Sequence, residues 1–339
     1  MQRKALRLAV FSVFAALASG GWSWWDMHRQ RSLPPEGLFL RVEPGDTLSG
    51  VATELAEGGF LATTWNLKLW GKALGSDRRL RPGDYLFQAP LSPRQLLAEL
   101  EAGRLGRHEL LVREGDTVAE VAAQFAARGF GGADVLRCAL QNDALRARVG
   151  NPPTGLEGYL FPDTYYFAWS DEPEVIVAAM LDRFQERTRD LHPARQRLGL
   201  SVHEMVTLAS IIEKETGVAD ERPLVSAVFH NRLRAGMKLQ ADPTAIYGQE
   251  RQGPPDRADL EAEHAYNTYR HFGLPPGPIC NPGRAALEAA VNPAPVDYLY
   301  FVARGDGTHA FARSLEEHNR NVARWRGNSA AAPPSRPRR

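Results

Sequence analysis

The chain has 339 residues, 43% of them hydrophobic and 24% charged, which excludes a disordered polymer and implies a globular protein of two or three domains. Its 41 basic and 40 acidic side chains leave a formal charge of +1, so nothing draws it as a whole to nucleic acid. Its two cysteines, Cys138 and Cys280, lack metal-ligand spacing and are too few for a disulfide framework. One long-range bridge is open to them in an oxidising compartment, but two buried free thiols are the expectation.

Arg3, Lys4 and Arg7 precede an uncharged run from Leu8 to Trp25, close to the shortest helix that spans a bilayer. Trp22, Trp24 and Trp25 stand where an interfacial aromatic belt would lie. The basic flank comes first, so residues 1–28 read as an uncleaved single-pass anchor in the inner (plasma) membrane. The start then stays cytoplasmic and everything after Asp26 is exported. A signal peptide cut near Ala18-Ser19-Gly20 is the alternative. Residues 29–37, with Pro34, Pro35 and Gly37, read as a linker.

A repeat follows within residues 38–150. Residues 43–60 read EPGDTLSGVATELAEGGF and residues 113–130 read REGDTVAEVAAQFAARGF. In each, a short apolar strand (Leu38 to Val42; Glu109 to Val112) enters Gly-Asp-Thr and an amphipathic helix begins. Asp46 and Asp116, or the threonines after them, are natural N-caps. Leu48, Val51, Ala52 and Leu55 share one face of the first helix. The pattern resembles the LysM glycan-binding module, more clearly in the first copy. Capping chemistry alone accounts for the same residues, so glycan contact stays open. Leu80 to Phe87 reads as a turn and strand. Ser92 to Gly103 reads as a helix with Ser92 as cap, Pro93 in its first turn and Gly103 as stop. Tyr159 to Phe167 is a strand or its lead-in, and residues 172–195 carry a helix.

Val202 to Thr216 is a helix with Ser201 as N-cap, Glu204 completing a capping box and Gly217 as stop. Met205, Leu208 and Ile212 form an apolar stripe that Glu215 continues. Burial of a carboxyl there raises its pKa and keeps it protonated, as a general acid requires. Glu213 lies about 200° around the helix from Glu215, so the two do not share a site. Exposed helix-end charges, paired with Lys214 or Arg222, are the competing reading.

The strings LASIIEKETG, VFHNRLRAGMKLQADPTAIYG, AYNTYRHFGLPPGPICNPG and YLYFVARGDGTHAFA resemble, in order and spacing, the endolytic murein transglycosylase (MltG, YceG-like) family over about residues 155–325. His230 and Cys280 depart from the family's usual residues. The resemblance implies an α+β protein: an anchor, a LysM-like portion and a catalytic domain over residues 151–326. It implies a lyase that cuts the bond between N-acetylmuramic acid and N-acetylglucosamine of peptidoglycan, leaves 1,6-anhydro ends and terminates nascent strands. One carboxyl acts as acid and then as base. That role carries over to Glu215, with Glu213 as fallback. Asn231, Arg232, Gln240, Asp242, Thr244, Tyr247, Asn267 and Tyr269 become candidates for sugar contacts. Asn231 and Arg232 as helix-end residues, Tyr247 as core and Asp242 as a turn residue are the structural alternatives.

The resemblance makes penicillin-binding proteins and other peptidoglycan synthases the expected partners; no cofactor or metal is implied. A hydrolase using Asp242 as second carboxylate and a non-catalytic glycan scaffold are the rival functions. Leu274 to Pro278 is too rich in proline for a helix and reads as a rigid cleft wall. Tyr298 to Ala303 and Thr308 to Ala312 form a hairpin, with His309 a surface strand residue or an orienting partner. Residues 327–339 read as a disordered tail.

Overall fold

The two-residue period of a strand makes Leu38–Val42 (β1) half-buried: Leu40 and Val42 point inward while Phe39 and Arg41 stay out. It pairs antiparallel with Gly83–Phe87 (β2), setting Leu40 opposite Tyr85 and Arg41 opposite Asp84. The structure is a computed structural model that describes residues 14, 17–35, 37–43, 45–103, 108–168, 171–249 and 253–329. The chain forms two compact units, Met1–Glu109 with Tyr166–Asp171, and Leu110–Tyr165 with Glu172–Arg339.

The first unit holds helices over 17–28 (α1), Leu48–Glu57 (α2), Trp65–Leu74 (α3) and Pro93–Ala102 (α4). The Thr47 hydroxyl caps α2, and the predicted face of Leu48, Val51, Ala52 and Leu55 is buried. A capping box of Ser92 and Gln95 starts α4, and left-handed Gly103 ends it. The core also takes in Met27 from α1. Ser23 donates to Asn66 at 2.6 Å and accepts from the Trp70 indole at 2.9 Å, while Trp22, Trp24 and Trp25 stay exposed. No helix among the described residues is long and apolar enough to cross a membrane; residues 1–13, much of the expected span, lie outside them. Residues 29–37 are not a free linker. The Arg31 N–H donates to Leu91 O, and the Arg31 guanidinium reaches Asp26 and the Phe60 carbonyl.

At the start of the second unit comes His108–Val112 (β3), the strand that pairs with Asp163–Phe167 (β4). Between them run Val118–Ala127 (α5), Ala133–Ala139 (α6) and Asp143–Arg148 (α7). Both Gly-Asp-Thr copies therefore lead from a strand through helices to the strand that pairs with it. The second copy shares a unit with residues 172–329 for a definable reason. Fully buried Asn281 exchanges main-chain bonds with Gly115 and Asp116, and its side chain grips Asp116 O and the Leu160 N–H.

The remaining helices are Pro173–Thr188 (α8), His192–Arg197 (α9), Val202–Glu215 (α10), Arg222–Arg234 (α11), Asp242–Ala245 (α12), Arg257–Glu261 (α13), Arg284–Val291 (α14) and Leu315–Ser329 (α15). The helix expected over 172–195 breaks at Thr188, whose hydroxyl donates to Phe184 O. Helix α10 is the axis of this unit. Met205 to Ile212 are all buried, and the helix packs chiefly on α14 and also on α11 and α12. Its capping box is formed as expected, but Thr216 rather than Gly217 ends it. Thr216 is extended, and its hydroxyl donates to Glu221 and accepts from the Val218 N–H.

Tyr300–Ala303 (β5) and His309–Ala312 (β6) form the predicted hairpin. Small two-stranded sheets among many helices make the fold α+β. Residues 327–329 continue α15 instead of fraying, and residues 330–339 lie outside those described. Both cysteines are free, Cys280 buried but Cys138 exposed, which corrects the expectation of two buried thiols.

Candidate functional site

The last turn of α10 carries Glu213, Lys214 and Glu215, and the helical 100° step sends the two glutamates to different surroundings. Glu215 lines a cleft of about 940 Å³ shared with Glu157, Asp242 and Tyr247. Part of its side chain stays accessible, yet its carboxyl is densely enclosed. Burial pushes its pKa up to about 8, reinforced by the negative charge of Asp242. Arg232 and the Asp242 N–H pull the other way. Glu213 is not among the cleft residues. It accepts the Gly283 N–H at 2.9 Å and stands 3.8 Å from Arg222, and burial raises its pKa.

A second enclosed carboxyl faces the cleft. Glu157 lies in the loop between α7 and β4. The Val118 N–H in the first turn of α5 donates to its two oxygens at 3.0 and 3.2 Å, and the Tyr247 hydroxyl donates at 3.2 Å. Burial lifts its pKa to about 7 against those hydrogen bonds. Gly158 fixes the loop: its φ is +86°, and a Cβ there would fall 2.5 Å from Pro278 and 2.7 Å from Val206 of α10. Sequence reasoning passed over Glu157. The signal was a lone acid inside the otherwise apolar stretch Leu156 to Pro162.

Of the residues expected to contact sugar, Asp242 and Tyr247 line the cleft, and Tyr269 stands behind Asp242, donating its hydroxyl at 2.5 Å. The side-chain polar atoms of Asn231, Arg232, Thr244 and Asn267 are largely committed to the protein, while Gln240 is exposed. Asn231 donates to Val296 O and Tyr298 O, and Arg232 donates to Leu299 O and Leu239 O. Together they fasten the approach to β5 onto α11. Thr244 bonds Ala241 O and the Thr268 hydroxyl. Fully buried Asn267 holds the carbonyls of Asp259, Leu260 and Ala262. Gln240 has a left-handed backbone, φ +50°, and its N–H donates to Thr268 O.

His309 is not a free surface residue. Its ring lies 2.7 Å from Glu221, which also accepts its N–H. The cleft wall is built by Pro243, Pro254 and Pro255 rather than by Leu274 to Pro278, whose Pro276 carbonyl is 2.8 Å from the His203 ring. Thr117 and Glu120, from the second Gly-Asp-Thr copy, also line the cleft.

These features define an α+β protein whose second unit bears an acid-lined cleft at the end of a buried helix. A model of the YceG-like family matches residues 40–324, and the chain belongs to that family. It is 40% identical over 183 residues to the endolytic murein transglycosylase of Bacillus subtilis (strain 168), covering 53% of this chain and 49% of that one. It is 27% identical over 358 residues to the protein of the same name from Streptococcus pneumoniae serotype 2, covering 94% and 65%. The chain thus spans between about half and about two thirds of these relatives' lengths. A crystal structure of a YceG-like protein from Listeria monocytogenes resembles it with a TM-score of 0.58 and 30% identity, over 85% of this chain and 99% of that one.

Proposed function

We propose that the chain is an endolytic murein transglycosylase, a lyase that cuts the bond from N-acetylmuramic acid to N-acetylglucosamine within peptidoglycan strands and leaves 1,6-anhydro ends. The single observation that carries this is Glu215: a carboxyl kept neutral by burial, at the end of a core helix, opening on a cleft large enough for sugar rings. Membership of the YceG-like family and the names of the relatives support it.

Glu215 donates its proton to the glycosidic oxygen as the bond from the muramyl C1 breaks. The muramyl C6 hydroxyl then closes on C1 and gives up its own proton. No water is consumed, which separates this reaction from two-carboxylate hydrolysis. Asp242 keeps the Glu215 proton in place electrostatically and is itself braced by Tyr269. Glu213 is structural in this reading.

The chain acts while anchored in the plasma membrane through the residues ahead of Gly21, exported side outward, beside the synthases that extend glycan strands. The strand–helix–helix–strand order of β1, α2, α3 and β2 supports a LysM-like, glycan-touching role for the first unit.

Digestion of purified sacculi by wild type, Glu215→Gln and Glu213→Gln, read by mass, tests the assignment. Wild type should release muropeptides one water lighter than reducing-end products. Glu215→Gln should lose at least about a hundredfold in rate, and Glu213→Gln should keep cleaving. Reducing ends would make the protein a hydrolase, and unchanged cleavage by Glu215→Gln would remove the acid.

A further inference from the structure

We propose that Glu157 is a second catalytic residue of this cleft, the base that takes the proton of the attacking C6 hydroxyl while Glu215 acts as the acid. The proposal rests on the transglycosylase reading. It departs from the scheme in which one carboxyl performs both halves of the reaction.

The argument starts from position. Glu157 and Glu215 both line the cleft, and they arrive from different elements, the α7–β4 loop and the end of α10. The loop is keyed to α10 by the contact of Gly158 with Val206, so the two carboxyls share one frame. Their surroundings differ in the direction a division of labour needs. Glu157 has donors prepared for an anion: the Val118 N–H at a helix N-terminus, reaching both oxygens, and the Tyr247 hydroxyl. Glu215 has Asp242 beside it, which disfavours ionisation. Burial raises both carboxyls, but hydrogen bonds from Val118 and Tyr247 favour the Glu157 anion while Asp242 opposes the Glu215 anion. The other titratable groups that face Glu157 are Glu120 of α5, Tyr247, Tyr266 and Cys280, and Lys214 lines the same cleft.

The step balances. The bond from C6 oxygen to C1 forms and the bond from C1 to the glycosidic oxygen breaks. The Glu215 proton goes to the leaving oxygen, and the C6 hydroxyl proton goes to Glu157. Exchange with cleft water returns both groups to their starting states, with no water added to the sugar.

The test is the rate of anhydro-muropeptide release against pH, using the full chain in detergent and purified sacculi. Wild type should show a narrow bell. Its acid limb belongs to Glu157 and its alkaline limb to Glu215, both displaced above the ordinary carboxyl range. Glu157→Gln should lower kcat by about 10²- to 10⁴-fold with KM little changed, and its residual rate should have no acid limb. Tyr247→Phe removes a donor to the Glu157 anion, so its acid limb should move to higher pH. That second variant decides the matter if Glu157→Gln does not fold. A raised KM with unchanged kcat, or an acid limb that stays in both variants, overturns the assignment and leaves Glu157 a binding or structural residue. Absence of anhydro products from wild type sinks the underlying reading instead.

Discussion

A carboxyl held neutral in a folded protein weakens that fold once it ionises. In the unfolded chain Glu215 releases its proton near the ordinary value of 4.5; in the folded chain it holds it to about 8. Between these values the folded state binds more protons than the unfolded, so stability falls as pH rises, and the loss is complete above about 8. Glu215→Gln should therefore stabilise the protein, on the order of 4 kcal/mol at pH 8 and almost nothing at pH 4. Urea midpoints at the two pH values check this. The same substitution should silence cleavage, so stability and activity should move in opposite directions. Helical periodicity placed Glu215 at the end of an apolar stripe, and only the family resemblance preferred it to an exposed helix-end charge; the structure sets it in the cleft. Glu157 was not legible in the sequence, because a loop has no period; its partners, Val118 and Tyr247, lie 39 and 90 residues away.

Helices were the most readable elements, since their ends are written in local chemistry. The boxes Ser92–Gln95 and Ser201–Glu204 form as their spacing requires. Ser201→Ala should cost about 1 kcal/mol in a denaturant melt without altering the cleft. Where the reading erred, a side chain from elsewhere decided the outcome. Thr216 turns α10 off because Glu221 receives its hydroxyl, and Glu221 in turn holds His309 of β6. Asn231 and Arg232, sugar candidates by resemblance with a structural role as the alternative, brace the hairpin's approach through its carbonyls. Asn231→Ala strands two carbonyls and should cost about 2 kcal/mol. Its KM for glycan should stay within about twofold of wild type, whereas a sugar contact would show as a rise in KM.

At the scale of the molecule, the α+β class came with the family resemblance, and it agrees with the strands and helices read one by one along the chain. The division at Glu109 was not legible, because it depends on Asn281 gripping Asp116 and Leu160 across long separations. The proposed membrane attachment through the first residues makes a direct prediction. The full chain should sediment with membranes and resist alkaline carbonate, while a chain beginning at Gly21 should stay in the supernatant with its thermal melt preserved. That second half follows from α1. Ser23 and Met27 are built into the first unit, whereas Gly20 and Gly21 have open space where a Cβ would be. A protease nicking there would cut ahead of every buried residue of that helix. Shedding would then be bloodless for the fold: the bilayer would lose the protein, and the medium would gain an intact, freely diffusing chain.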